Sequence, residues 1–455
     1  MVALLTAAPC AALTLSSPGV TEPATAYRVL WERVVSFPGR GLLTGAAADL
    51  NGDGLDELLL HSGRRNEKSH VAVLEGTAGR ELWRAAFPER SCAVARDLDG
   101  DGAAEVVVAC GTDLLVLDGA TGRKVGEAAL RARVGDLLCV GAGGPRAARR
   151  PVLVYTAGPK RDDVLVALDR ELEELWSLEA ADGDGPFARG FTYPGAMDAD
   201  GDGREELLVA ENGNHLLCLS ADGELLWDMG LGRAQRLNPE GVVSCMPVAG
   251  GFFGDGATEL AVGCYAGAVV VIDPAGGEVL DRVQFGVGSH ESHLSNERIP
   301  RFIRNALSAT GEPVNCLTPL ELDGGPGCEL VLGCSDGFLY AYDPGSGEVM
   351  WRFDTLGEVY DPCVRVTREG GSTDDVLAWD EEGAYLLDGR TGRLLGGFGD
   401  VGGAGGGLAC NLIGTPTAEF VHIAPVGGAV TVWRSAAARL AGDATADGAQ
   451  PPESP

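Results

Sequence analysis

Asp49-Leu-Asn51-Gly-Asp53-Gly-Leu-Asp-Glu57 is the first of three complete copies of one phrase, D-x-[DN]-x-D-G-x-x-E. The others are Asp97-Leu-Asp99-Gly-Asp101-Gly-Ala-Ala-Glu105 and Asp198-Ala-Asp200-Gly-Asp202-Gly-Arg-Glu-Glu206. Each places oxygen donors at positions 1, 3, 5 and 9, with Gly after the third donor where the loop must turn sharply. That is hard-cation chemistry, and the expected ion is Ca²⁺. Apolar runs flank the copies, as in Glu57-Leu-Leu-Leu-His61 and Glu105-Val-Val-Val-Ala-Cys110, so the loops join two strands.

After each cation loop or its relic the same order recurs: an apolar strand, a variable turn, a strand ending in Leu-Asp or similar, a Gly-rich turn, and a short strand often carrying Trp. The turn is legible in Leu117-Asp-Gly-Ala-Thr-Gly122, Tyr342-Asp-Pro-Gly-Ser-Gly347 and Leu387-Asp-Gly-Arg-Thr-Gly392, with Asp accepting backbone N–H bonds and Gly supplying positive φ. Trp83, Trp176, Trp227 and Trp351 mark fourth strands. Units read at 45–84, 93–127, 136–176, 194–227, 243–283, 314–353, 362–395 and 407–433. The last has three strands, and Tyr27-Arg-Val-Leu-Trp31-Glu-Arg-Val34 has the character of the missing fourth. The expected fold is therefore all-β: an eight-bladed β-propeller of four-stranded antiparallel blades closed by an N-terminal strand, or seven-bladed if the third or eighth unit is misread. Units five and six keep only Gly251, Phe253, Asp255, Glu259 and Glu321, Asp323, Gly325, Glu329 in the donor positions. About three Ca²⁺ ions are expected, in units one, two and four, with ligands Asp49, Asn51, Asp53 and Glu57; Asp97, Asp99, Asp101 and Glu105; Asp198, Asp200, Asp202 and Glu206.

The complete loops and their flanks resemble the FG-GAP or VCBS repeats of integrin-alpha-type propellers. The Leu-Asp-x-x-Thr-Gly-x-x-x-Trp half resembles the repeats of quinoprotein-like eight-bladed propellers. The resemblance spans roughly 27–433 and implies fold and calcium; the families it joins include adhesion proteins, outer-membrane assembly scaffolds, quinone enzymes and polysaccharide lyases. The quinone enzymes carry an adjacent-cysteine disulfide, and this sequence has no Cys-Cys pair.

A formal charge of −31, from 66 acidic and 35 basic residues, disfavours nucleic acid or an anionic bilayer as partner. No stretch of eighteen or more uninterrupted apolar residues is present, so no membrane span is expected. Residues 1–26 read as a disordered terminus or a truncated signal peptide, and 434–455 as a disordered tail. A single propeller domain, monomeric and secreted or periplasmic, suits loops of this calcium type. Cys92/Cys110, Cys245/Cys264 and Cys316/Cys334 each bracket the loop of one unit. They read either as cross-strand disulfides or as free buried thiols.

Long insertions at 60–70, 158–163, 177–193, 228–242 and 286–313 fall on the face opposite the cation loops, and surface loops on a rigid ring carry binding. They hold eleven basic and eleven acidic residues and four of the six histidines: His61, His70, His290 and His293. A near-neutral face on an acidic ring suits a protein or an anionic glycan. As an enzyme, this face reads as a polysaccharide lyase acting by β-elimination. His290 or His293 would take the proton α to a uronate carboxylate, Arg301 and Arg304 would hold that carboxylate, and Tyr193 would protonate the leaving oxygen.

Overall fold

The computed structural model describes residues 27–37, 43–62, 68–140, 153–157, 164–180, 191–199, 205–211, 215–231, 234–235, 238–239, 243–286, 312–355, 357–359, 363–367, 373–380, 383–399, 406–414, 419–423 and 429–435. They form eight four-stranded antiparallel sheets, plus a two-residue ribbon between Ala234–Gln235 and Asn238–Pro239. Seven sheets run in sequence order, blade 1 from Leu43–Ala48 through Glu57–Ser62 and Ser69–Leu74 to Glu81–Phe87. The eighth is built from Gly406–Cys410, Glu419–Ile423 and Ala429–Ser435, and Tyr27–Val34 pairs with the last of these from Tyr27↔Ser435 to Val34↔Ala429. The chain thus closes its own ring with its first strand.

Second strands are continuous apolar runs because both of their faces are buried. In blade 2, Val106 and Val108 join the core shared with blade 1, whereas Val107 and Ala109 join the core shared with blade 3. The same alternation places Leu59 towards blade 2 and Leu58 and Leu60 towards blade 8. Eight apolar clusters result, one in each seam of the ring.

Tryptophan does more than end a strand. Five indoles reach the next blade and donate Nε1–H to a carbonyl in its third turn: Trp31 to Gly76, Trp83 to Gly119, Trp176 to Ala221, Trp227 to Pro274 and Trp351 to Gly389, at 2.6–2.9 Å. The ring lies against a turn glycine at positive φ (Gly79, Gly122, Gly223, Gly277, Gly392), where a Cβ would stand 2.6–2.9 Å from an indole carbon. Three seams are closed otherwise. In blade 7 Gly396 holds the tryptophan position, and Trp379, Phe420 and Trp433 fill the seam with blade 8. Gly126 holds the tryptophan position of blade 2, and the facing turn carries Leu172 at φ 62°, whose side chain fills towards it. In blade 5 Asp281 holds that position and accepts the hydroxyl proton of Tyr342 from blade 6.

The cysteine pairs do not bridge; none of the eleven described thiols forms a disulfide. Cys92 lies opposite Ala109 while Cys110 lies opposite Ser91. That one-residue offset sends the two thiols to opposite faces of the sheet. Cys92 Sγ donates to the Gly135 carbonyl of blade 3, and Cys110 packs in the seam with blade 1. Cys316 and Cys334 are divided likewise between two seams, as are Cys245 and Cys264. Burial pushes Cys139 and Cys264 up to about 12. Alkylation of the native chain without reductant is therefore expected to be slow at these thiols and complete on unfolding. A denatured, unreduced chain that leaves thiol pairs unlabelled would contradict this.

Candidate functional site

The cation loops connect first to second strands. In loop 1, Asp49 Oδ1 accepts the Gly52 N–H at 2.7 Å and Asp49 Oδ2 the Gly54 N–H at 2.8 Å. Asn51 Oδ1 accepts from Asp53 N, and Asp53 Oδ1 from Leu55 N. Gly52 and Gly54 sit at φ 76° and 85°, conformations that a side chain would oppose. Loop 2 repeats the arrangement: Asp97 accepts from Gly100 and Gly102, Asp99 from Asp101, and Asp101 from Ala103. Its Asp97, Asp99 and Glu105 offer oxygens all within 4.8 Å of one another.

The glutamate at position 9 has a structural task besides. Its Oε2 accepts the N–H of the residue seven earlier in six blades, at 2.6–3.0 Å: Leu50–Glu57, Leu98–Glu105, Ala199–Glu206, Phe252–Glu259, Leu322–Glu329 and Leu412–Glu419. The donor residues bury their side chains, so each loop is pinned to the core. Adjacent loops are also tied together. The position-1 carbonyls of Asp49, Gly251, Glu321 and Asn411 accept the N–H groups of Ala104, Cys328, Asp374 and Asp56 in the following blades, the last across the closure.

Gathering carboxylates here is electrostatically costly. Burial, then Asp53, Asp49 and Asp56, raise Glu57 to about 7 against the Leu50 hydrogen bond, and burial raises Glu329 to about 7. Glu105 is raised by burial and by Asp99 and Asp101. A hard cation answers that cost, and the all-oxygen donor set of loop 2 fits one. In loop 1 Asn51 Nδ2 donates to Glu57 Oε1 at 2.9 Å, spanning two of the expected ligands by a hydrogen bond. In the fourth blade Asp198 and Glu206 are placed, whereas Asp200 and Asp202 lie outside the described residues. Blade 6 supplies a second acidic group, Glu321, Asp323 and Glu329, again within 4.8 Å. Gly325 leaves position 5 without a donor, which set this unit aside on sequence grounds, but the other three carboxylates still converge.

The insertion face is narrower than the sequence suggested. His61 and His70 lie in the strands Glu57–Ser62 and Ser69–Leu74. His61 Nε2 is 3.0 Å from Ser91 Oγ, and burial lowers His61 to about 4; His70 is buried beside the Phe37 ring. Both belong to the packing. Tyr193 falls within the innermost strand Phe191–Met197 of blade 4, so the stretch 177–193 is not all loop. His290, His293, Arg298, Arg301 and Arg304 lie outside the described residues. His215, in the third strand of blade 4, has Nδ1 2.5 Å from Asp228 Oδ1.

No curated protein sequence matches this chain. Among solved structures, it is similar to the quinohemoprotein alcohol dehydrogenase from Comamonas testosteroni at 13% identity, covering 92% of this chain and 78% of that one (TM-score 0.58). It is also similar to the V. cholerae biofilm matrix protein Bap1 at 17% identity, covering 90% and 91% (TM-score 0.57), and to Saccharomyces cerevisiae Sqt1 at 15%, covering 87% and 99% (TM-score 0.55). At such identities the likeness is one of fold. The model of the family described as outer membrane protein assembly factor BamB matches residues 67–247 and again 212–397. Those overlapping matches span most of the ring, and the chain belongs to that family of propellers.

Proposed function

We propose that the chain is a calcium-stabilised, non-catalytic scaffold acting outside the cytoplasm, which binds a protein or an anionic glycan on the face opposite its cation loops. The observation that carries this reading is the loop network. The acidic groups held close together at the loops are pinned to the core and to neighbouring blades, which is the work of a rigid platform. Calcium is favoured over softer metals by the all-oxygen donors, and its millimolar level outside cells suits exposed loops with three or four carboxylates. Blades 1, 2 and 4 follow the FG-GAP or VCBS pattern; blade 6 is a further candidate. Membership of an outer-membrane assembly family supports a secreted or periplasmic setting, and eight of the eleven described thiols are buried away from oxidants there. No helix among the described residues is long and apolar enough to cross a membrane.

The test is a panel of sulfated and uronate-containing polysaccharides, together with outer-membrane protein segments, immobilised and probed with the folded chain in calcium. Saturable binding without new unsaturated sugar ends is expected. Appearance of such ends by absorbance would replace the scaffold reading with a lyase acting through His290, His293, Arg301, Arg304 and Tyr193. No binding across the panel would remove the proposed ligand classes.

A further inference from the structure

Blade 5 keeps the frame of a cation loop but not its ligands. Glu259 still accepts from Phe252 N and Asp255 from Ala257 N. Gly251 and Phe253 stand where blade 2 has Asp97 and Asp99. An open groove of about 520 Å³ lies there, its walls including Phe253 and Leu280 on the apolar side and Asp255, Glu259 and Asp273 on the acidic side. No basic residue lines it among the described residues. With two of four ligand positions lost, the groove does not suit a bare dication.

A second feature adjoins it. Leu280 also belongs to a belt of exposed aliphatic side chains at the start of the fourth strands of three consecutive blades: Leu225 and Leu226, Val279 and Leu280, and Val349, all between 39% and 49% exposed. In blades 1 to 3 the charged Glu81, Lys124 and Glu174 stand where Leu225, Val279 and Val349 do, while Leu82, Val125 and Leu175 match Leu226 and Leu280, so only blades 4 and 5 pair two exposed aliphatics at this place. Scattered single aliphatics carry no meaning, but a run across three blades beside an acidic groove does.

We propose that the blade 5 groove and this rim form a docking surface for a basic, aliphatic-bearing segment of a partner protein. A lysine or arginine of that segment sits among Asp255, Glu259 and Asp273 with its methylene stem on Leu280, and its apolar residues cover the rim of blades 4 to 6. Charge complementarity selects the basic partner, and the rim selects a polypeptide over a polyamine or a free cation. This surface lies at the cation-loop side, away from the face assigned to the main ligand.

Fluorescence anisotropy with a labelled eight-residue peptide of alternating Lys and Leu tests it, in calcium and near-physiological salt. Asp255→Asn with Asp273→Asn, and separately Leu280→Ser, are each expected to weaken binding about tenfold. Asp113→Asn with Glu179→Gln, equal in charge change but elsewhere on exposed surface, is expected to leave it within about twofold. Thermal melts confirm that the variants remain folded. Equal weakening by both charge pairs, equal binding of a Glu–Leu peptide, absence of binding, or self-association of the chain through the rim would each overturn the proposal.

Discussion

Trp351→Ala is expected to destabilise the ring by about 3–5 kcal/mol, the range for deleting a large buried aromatic. The indole is buried in the seam between blades 6 and 7 and is the donor to the Gly389 carbonyl at 2.6 Å. Trp351→Phe keeps most of the packing but removes that donor, so about 1–2 kcal/mol is expected. Gly392→Ala should also be severe, because the new Cβ would lie 2.6 Å from the indole Cδ2 at a φ of 65°. Combining Trp351→Ala with Gly392→Ala should cost less than the sum, since the clash disappears with the ring. Strict additivity in urea melts would show that the two do not meet in the folded chain.

Removing calcium is expected to lower the melting midpoint by several degrees at pH 8 and much less at pH 5. A ligand at a hundred times its Kd adds about 2.7 kcal/mol per site. The pH dependence follows from the loop glutamates. Glu57 and Glu329 have folded-state values raised from 4.5 to about 7. Without a cation, their contribution to stability is therefore present below about pH 4.5 and lost as pH rises through 7, where the buried carboxylates must ionise. Bound calcium compensates that ionisation, so its effect grows over the same window. Glu105→Gln separates the two tasks of the side chain. The amide oxygen can still accept from Leu98 N, so the chelated variant should melt at or above the chelated wild type at pH 8, while its gain from calcium shrinks. A gain from calcium equal at pH 5 and pH 8 would contradict this.

The ring was legible because its turns and tryptophans recur at a nearly constant spacing and because Tyr27–Val34 reads as a fourth strand lacking a blade. What the tryptophans do was not, since each acceptor carbonyl lies 36–47 residues downstream and becomes a neighbour only when blades are stacked. The glutamate at position 9 read as a ligand, yet its bond to an N–H seven residues earlier depends on the loop folding back over a buried position-2 side chain. Motif spacing cannot distinguish those uses, because both require a carboxylate there. Cysteines about eighteen residues apart invited bridges, but a one-residue offset in Ser91↔Cys110 decides the face on which each thiol lies. His61 and His70 were read as loop residues because polar Ser62 and Ser69 interrupt the apolar pattern, although both serines are buried strand residues.

Calorimetric melting of the folded chain at pH 8, in millimolar calcium and then in excess chelator, tests the proposed role of the cation loops most directly. A midpoint several degrees lower in chelator, restored by calcium and only partly restored in Glu105→Gln, is the predicted result. Superimposable transitions would mean that the acidic loops hold the ring by hydrogen bonds alone.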